Sequence, residues 1–144
     1  MTLLLLLLFF LLINLVVSHE SIDGSDTVDL TSKTFEHLTQ AATGATTGDW
    51  FVMFYAPWCG HCKELMPTWD KVASELKGEV NVAKVDVPLN RNLGTRFDIK
   101  GFPTLKLFSK GHIYTFKGRR SFDELTEFAK SGFHVHEPEQ MVSS

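Results

Sequence analysis

The chain begins with a single apolar run that carries no charge. Residues Leu3 to Val17 are apolar apart from Asn14, and no Lys, Arg, Asp or Glu precedes Glu20. As a helix rising 1.5 Å per residue, this run would span ~22 Å, which is short of the ~30 Å hydrocarbon layer of a membrane. We therefore predict that residues 1–18 are a cleavable secretory signal peptide and that residues 19–26 are an N-terminal extension. An uncleaved signal anchor and a buried core helix are the alternatives.

The next part of the chain predicts two strands joined by a helix. Val28 to Leu30 form a short apolar stretch, and the helix that follows is expected to run to about Ala42 with Phe35 and Leu38 on its apolar face. Trp50 to Ala56 are apolar without a break. Continuous apolarity of this length is typical of a central strand that is covered on both faces.

The second half of the chain predicts one long helix and then shorter elements. After Trp58, apolar residues recur at three- and four-residue spacing as far as Gly78, which indicates a helix of about five turns. The remaining predicted elements are a strand over 80–87, a short helix over 90–97, a hairpin of strands 104–108 and 113–116, and a helix from Ser121 to Gly132. This order predicts a three-layer α/β domain over 27–132. We expect residues 133–144 to be a flexible tail.

The composition excludes several classes of protein. The chain carries 14 Lys and Arg against 17 Asp and Glu, a formal net charge of −3, so it has no basic footprint for nucleic acid. Its two cysteines, Cys59 and Cys62, are too few for a disulfide scaffold or a four-cysteine zinc site. A chain of 144 residues can fold without disulfide staples. Both cysteines are therefore available for chemistry.

The two cysteines lie in the tetrapeptide Cys59-Gly60-His61-Cys62, where the buried strand ends and the long helix begins. The first N–H groups of a helix lack partners and form the positive end of its dipole, so they stabilise a Cys59 thiolate. Helix-start cysteines have pKa values of roughly 3.5–7.5, against ~8.5 for a free thiol. Cys62 is one turn later, faces the apolar interior and should stay protonated. We predict thiol–disulfide exchange in which Cys59 attacks and Cys62 resolves the mixed disulfide.

Two segments resemble the signatures of the protein disulfide isomerase family. Residues 54–63 match its active-site signature without a break, and Gly101-Phe102-Pro103-Thr104 matches its second signature. The resemblance covers residues 27–132 and implies a thioredoxin fold, in which a central mixed β-sheet is flanked by helices. It also implies that a Cys59–Cys62 disulfide is the reactive group, with no bound cofactor and no metal. Glutathione is the expected redox partner, and unfolded or disulfide-containing secretory proteins are the expected clients.

The resemblance assigns substrate binding to Trp58, Phe102 and Pro103. The family's proline in this position is cis and packs against the active-site cysteines. A cis X-Pro bond also leaves the preceding backbone free to pair with an extended substrate.

Redox tuning is assigned by the resemblance to four residues, namely Gly60, His61, Lys84 and Arg120. His61 can stabilise the Cys59 thiolate and so favour the reduced form. Arg120 matches an arginine that approaches the second cysteine and lowers its pKa, whereas we expect its neighbour Arg119 to be a surface residue.

Met53 is a departure from the family pattern. The family usually has a buried acid at this position, which relays the proton of the second cysteine. Methionine cannot accept a proton, and Lys84, which matches the lysine that accompanies the acid, has either lost its partner or points to solvent. Our hypothesis is that Cys62 deprotonates more slowly and that mixed disulfides live longer.

Two other functions remain as alternatives. The domain could be a redox chaperone that holds clients as mixed disulfides with little turnover, which Met53 and the aromatic residues near the cysteines favour. A zinc site built from the cysteines together with His134 and His136 is the second alternative, although two histidines in a polar tail are usually solvated.

The predicted location is the lumen of the endoplasmic reticulum. The signal peptide implies entry to the secretory pathway, without stable membrane insertion after cleavage. The chain ends in Met141-Val142-Ser143-Ser144, which is not a retention tetrapeptide, so secretion, retention by a partner protein and a truncated chain are the alternatives. The sequence predicts no oligomeric state.

Overall fold

The central sheet of the computed structural model contains five strands in the order β1-β3-β2-β4-β5. The strands are β1 (Val28–Leu30), β2 (Asp49–Tyr55), β3 (Val80–Asp86), β4 (Thr104–Ser109) and β5 (His112–Thr115). β3 lies between β1 and β2 and is parallel to both. β4 is antiparallel to both of its neighbours, β2 and β5. Residues 50–54 of β2 are all buried, which confirms the prediction of a central strand covered on both faces.

Helices cover the two faces of this sheet. They are α1 (Phe35–Thr39), α2 (Gly60–Leu76), α3 (Arg91–Arg96) and α4 (Phe122–Lys130), followed by a 3-10 helix at Gly132–Val135. α2 and α4 contribute to the apolar cluster on one face, while α1 and α3 contribute to the cluster on the other. The predicted three-layer α/β domain with a mixed sheet is therefore confirmed.

The structure describes residues 2–4, 24–44 and 47–139. Most of the predicted signal peptide and N-terminal extension lies outside these residues. None of the helices in the described part of the chain combines the length and the apolarity needed to cross a membrane.

Trp69 anchors α2 to the sheet. Its side chain is fully buried, its indole N–H donates to the carbonyl oxygen of Ala83 at 3.0 Å, and its ring centroid lies 4.7 Å from that of Phe51. These contacts join the helix to two adjacent strands. They set the position of the helix start, where the cysteines lie.

α1 is shorter than the sequence predicts. It ends at Thr39, because Gln40 adopts a left-handed conformation with φ of 52°. Phe35 and Thr39 form the buried side of its single turn, whereas Leu38 is 37% exposed. The expectation that Leu38 faces the core is therefore wrong, and the apolar contact after the helix is made by Ala41 instead.

Residues 133–139 pack against the hairpin, which corrects the prediction of a flexible tail for this stretch. Phe133 is buried, and its ring centroid lies 5.0 Å from that of Tyr114 in β5. The backbone N–H of Glu139 donates to the carbonyl oxygen of Ile113 at 2.7 Å and forms an antiparallel bridge. The Glu139 carboxylate also accepts a 2.8 Å hydrogen bond from Lys106 Nζ. Residues 140–144 lie outside the described residues.

We predict that replacing Glu139 with Gln destabilises the domain. Lys106 has a side chain that is only 8% exposed, so the loss of its anionic partner should lower the free energy of unfolding by about 1 kcal/mol. Urea unfolding at pH 7 measures this difference. The matched control is Glu137→Gln, since Glu137 is an exposed neighbour, and equal losses in both variants would contradict the prediction.

The stabilising effect of Glu139 should also depend on pH. Partial burial acts to raise the pKa of Glu139, but hydrogen bonds from Lys106 and Thr115 hold it below its ordinary value. A carboxyl group whose pKa is lowered by folding stabilises the folded state above its unfolded pKa, ~4.3 for glutamate, and this effect is lost as the pH falls through the folded pKa. The difference between the wild type and Glu139→Gln should therefore shrink in acid.

Candidate active site

The cysteine pair lies at the junction between β2 and α2, as the sequence predicts. After β2 ends at Tyr55, the backbone N–H of Cys59 donates to the carbonyl oxygen of Ala56 at 3.1 Å and closes a turn. Cys59 is the N-cap residue of α2, with an extended backbone. Its sulfur therefore lies beside the first N–H groups of the helix, which have no partners within the helix.

Cys59 and Cys62 have different surroundings. Cys59 is half-buried, whereas Cys62 is only 1% exposed, and both carry free thiols. The backbone N–H of Cys62 donates to Cys59 Sγ at 3.4 Å. In its protonated form, the Cys59 thiol donates to the carbonyl oxygen of Phe102 at 3.6 Å. The first cysteine is therefore accessible and the second is enclosed.

The surroundings of the two thiols shift their pKa values in opposite directions. Hydrogen bonds from the Cys62 thiol and from the N–H groups of Cys62 and His61, together with the charge of Arg120, lower the pKa of Cys59 against the opposing effect of desolvation. Burial, and next the hydrogen bond to Cys59, raise the pKa of Cys62 to about 11. Cys59 is therefore the more readily ionised nucleophile, and Cys62 holds its proton.

The loop before β4 faces the cysteine pair. Its Phe102–Pro103 peptide bond is cis, as the resemblance implies. The Phe102 ring makes an edge contact with the ring of Trp58, with the centroids 5.8 Å apart. Trp58 is 70% exposed, so Trp58 and the half-buried Phe102 form a partly apolar surface next to Cys59, whereas Pro103 is buried.

His61 and Arg120 line a cavity of about 170 Å³ together with Glu64, Leu65 and Thr68. His61 is largely exposed, and its Nδ1 lies 3.7 Å from the carboxylate of Glu64. The charge of Arg120 lowers the pKa of both cysteines. Arg119, by contrast, is an exposed residue that pairs with Glu124 at 3.2 Å. Of the two arginines, only Arg120 contributes its charge to the thiols.

Gly60 lies in open space at the start of α2. A Cβ atom added to it would meet no other atom within 4 Å. Packing therefore does not require a glycine at this position.

Lys84 has a partner in the structure, although Met53 is fully buried and apolar. Met53 in β2 is the register neighbour of Lys84 in β3, which in turn is the register neighbour of Asp29 in β1. Lys84 Nζ lies 3.7 Å from Asp29 Oδ1, and the Lys84 side chain is 18% exposed. The lysine thus pairs with an acid on the edge strand, and it neither lacks a partner nor points freely into solvent.

The histidines of the 3-10 helix region interact with aromatic rings. The ring centroid of His134 lies 3.9 Å from that of Phe133, and that of His136 lies 5.9 Å from that of Phe128. Within residues 24–44 and 47–139, no three His, Cys, Asp or Glu side chains are grouped closely enough to hold a metal ion. The zinc alternative therefore receives no support from the described residues.

A mixed five-stranded sheet, a paired-cysteine site at the start of its long helix and a facing cis-proline loop together define the class of thioredoxin-fold proteins. The chain belongs to the thioredoxin family, whose family model matches residues 26–131.

The chain is similar to several known proteins. It is 52% identical over 131 residues to a thioredoxin domain-containing protein of Theileria parva, a match that covers 88% of this chain and 60% of that protein. It is 39% identical over 124 residues to protein disulfide-isomerase A6 of Mus musculus, covering 83% of this chain and 27% of that protein. The chain therefore spans only part of the length of these relatives.

A solved structure supports the same relationship. The first thioredoxin domain of mouse protein disulfide-isomerase A4 matches with a TM-score of 0.68 and 29% identity, and the match covers 89% of this chain and 96% of that domain.

Two features near the site were missed by the sequence analysis. The pairing of Asp29 with Lys84 depends on the neighbouring positions of β1 and β3, which the sequence pattern does not contain. Leu89 is 81% exposed in the turn after β3. A leucine directly after a proline, between a predicted strand and a predicted helix, is a signal that could have identified it.

We predict that Cys62→Ala raises the pKa of Cys59, because it removes the thiol that donates to the Cys59 sulfur. The rate of iodoacetamide alkylation as a function of pH measures this value. Cys62→Ser is the matched control, since its hydroxyl keeps a donor, and it should raise the Cys59 pKa less than alanine does. Coincident pH profiles for the wild type and Cys62→Ala would contradict the prediction.

Proposed function

We propose that this domain is a thiol–disulfide oxidoreductase and isomerase that forms and rearranges disulfides in proteins of the secretory pathway. The observation that carries the proposal is that the pKa values of the paired thiols are shifted in opposite directions. Cys59 is accessible and its pKa is lowered, whereas Cys62 is buried and its pKa is raised to about 11. The similarity to proteins named protein disulfide-isomerase supports it.

The proposed reaction has two exchange steps. The Cys59 thiolate attacks one sulfur of a client disulfide, so that a Cys59–client disulfide forms and the second client sulfur leaves as a thiolate. Cys62 then loses its proton and attacks the Cys59 sulfur, which releases the client thiol and leaves a Cys59–Cys62 disulfide. The reverse sequence oxidises a client dithiol. If a second client thiolate attacks the mixed disulfide on the client sulfur, the client disulfide is rearranged.

The residues around the pair support these steps. Arg120 favours the thiolate form of each cysteine, so it assists both attack and resolution. Trp58 and Phe102 provide a partly apolar surface for an extended client segment beside Cys59, and the buried cis Pro103 belongs to the loop that carries Phe102. No bound cofactor is needed, because the Cys59–Cys62 disulfide accepts the electron pair and the dithiol form donates it. Glutathione is the proposed partner that resets the redox state of the pair.

The proposed location is the secretory pathway, with the lumen of the endoplasmic reticulum favoured over secretion. The uncharged apolar run at the start of the chain supports entry to this pathway. Disulfide exchange on client proteins is also suited to an oxidising compartment.

Two assays test the proposed activity, namely reduction of insulin and refolding of reduced ribonuclease in a glutathione buffer. The wild type should accelerate both, whereas Cys59→Ser should be inactive because it has lost the attacking thiolate. Cys62→Ser should retain the first attack and accumulate mixed disulfides. A wild type no faster than the buffer would contradict the proposal. A redox titration against glutathione adds a second test, since a potential near that of thioredoxin, ~−270 mV, would contradict the oxidase and isomerase assignment.

A second candidate function is a redox chaperone that holds clients as long-lived mixed disulfides. The observation that favours it is the fully buried Met53, which occupies the position of the family's proton-relaying acid. Lys84 in the neighbouring strand pairs with Asp29 on β1, so the acid of the pair is two strands away from Met53. Slow deprotonation of Cys62 would prolong the mixed disulfide.

We predict that Met53→Glu shortens the lifetime of the mixed disulfide, because a carboxylate beside Lys84 can accept the proton of Cys62. A positioned general base accelerates a reaction by about 100-fold at the low end of its range, so we expect the lifetime of the mixed disulfide to shorten on that scale. Rapid acid quenching followed by electrophoresis measures the lifetime. Met53→Gln is the matched control, since it has a similar shape and no basic carboxylate. Equal lifetimes in the wild type and Met53→Glu would contradict the hypothesis.

A further inference from the structure

Leu89 lies in the turn after β3, and the proposed exchange reaction does not use it. Its side chain is 81% exposed, more than that of Trp58 at 70%. Removing a large aliphatic side chain from water is favourable, so an exposed leucine can contribute free energy to binding when a partner covers it. An exposed leucine on its own needs no explanation, so its setting in the fold decides whether it has a role.

The turn that carries Leu89 is held rigidly. The backbone N–H of Asn90 donates to the carbonyl oxygen of Val87 at 3.0 Å, which closes a β-turn with Pro88 in its second position and Leu89 in its third. Proline is favoured in that second position because its φ is already fixed. The backbone N–H of Leu89 also donates to the Asp86 carboxylate at 3.2 Å.

The side chain of Asn90 fixes the end of this turn. Asn90 is buried, its Nδ2 donates to the carbonyl oxygen of Asp86 at 2.8 Å, and its Oδ1 accepts from the backbone N–H of Ser32 at 2.8 Å. The turn is therefore anchored to β3 and to the segment after β1. The backbone of Leu89 is held in place, so contact with its side chain does not require ordering of the turn.

The turn lies at the same edge of the sheet as the cysteine pair. β2 and β3 are parallel neighbours, with Tyr55 and Asp86 in register at their ends. The backbone N–H of Val87 donates to the carbonyl oxygen of Tyr55 at 2.9 Å, so the two loops leave the sheet side by side. One loop leads to Trp58 and Cys59, and the other leads to Leu89.

We propose that Leu89 extends the client-binding surface by contacting an apolar side chain of the client, a few residues from the client cysteine that is joined to Cys59. This inference rests on the proposed function, because the mixed disulfide is what brings an extended client segment to this edge. The preferred clients are therefore unfolded segments with an aliphatic or aromatic residue near a cysteine.

The test compares a peptide containing one cysteine and a leucine several residues away with the same peptide containing serine instead of leucine. Fluorescence anisotropy measures the fraction of each labelled peptide that is joined to Cys59 of the full chain, in a Cys62→Ser background and at a fixed ratio of reduced to oxidised glutathione. We expect Leu89→Asn to weaken binding of the leucine peptide by three- to tenfold and to leave the serine peptide nearly unaffected. The leucine is placed at several positions before and after the peptide cysteine, because an extended client can cross this edge in either direction.

Val135→Asn is the matched control variant. Val135 is also an exposed aliphatic residue, at 85%, but it belongs to the 3-10 helix after α4. It should bind both peptides like the parent protein. The inference would be overturned if Leu89→Asn and Val135→Asn weakened binding of the leucine peptide equally. It would also be overturned if Leu89→Asn did not weaken binding at any position of the leucine.

A separate measurement distinguishes this inference from the proposed function. Exchange of the wild type with glutathione disulfide requires the cysteines and offers no apolar side chain to Leu89. Failure of that exchange overturns the proposed function. Normal glutathione exchange together with unchanged peptide affinity in Leu89→Asn overturns only the role of Leu89.

Discussion

The contact between Trp69 and the sheet determines where the reactive thiols lie. The indole N–H bonds to β3 through Ala83 while the ring packs on Phe51 of β2, so α2 is fixed against two strands at once. Because the helix cannot slide along the sheet, its first residue stays at the carboxyl end of β2. Cys59 then caps the helix and Cys62, one turn later, faces inward. The opposite pKa shifts of the two thiols follow from this placement.

The sequence predicted those parts of the fold that depend on local patterns. The unbroken apolar run of β2, the 3.6-residue period of α2 and the cysteine tetrapeptide between them were sufficient to place the site. The signature around Pro103 predicted the facing cis-proline loop. In each case, the residues that determine the structure are close together in the chain.

Other features depend on contacts between distant parts of the chain. Glu139 interacts with Lys106 and Ile113, so a polar tail segment that looked mobile from its composition is instead bridged to β5. Likewise, the partner of Lys84 is Asp29, which only the order β1-β3-β2 brings next to it. α1 ends early because Gln40 takes a left-handed conformation, and no glycine in the sequence marks that end.

We expect Met53, which stands where the family usually has a buried acid, to affect one half of the proposed reaction more than the other. Attack by Cys59 depends on helix N–H groups, the Cys62 thiol and Arg120, and all of these are present. Resolution by Cys62 depends on removal of a proton from a buried thiol whose pKa is about 11, and at Met53 the side chain has no basic group. We therefore expect such a site to form a mixed disulfide readily and to release it slowly. In that case the proposed noncovalent contacts at the same edge, including Leu89 on its anchored turn, would have time to select which client segments remain bound.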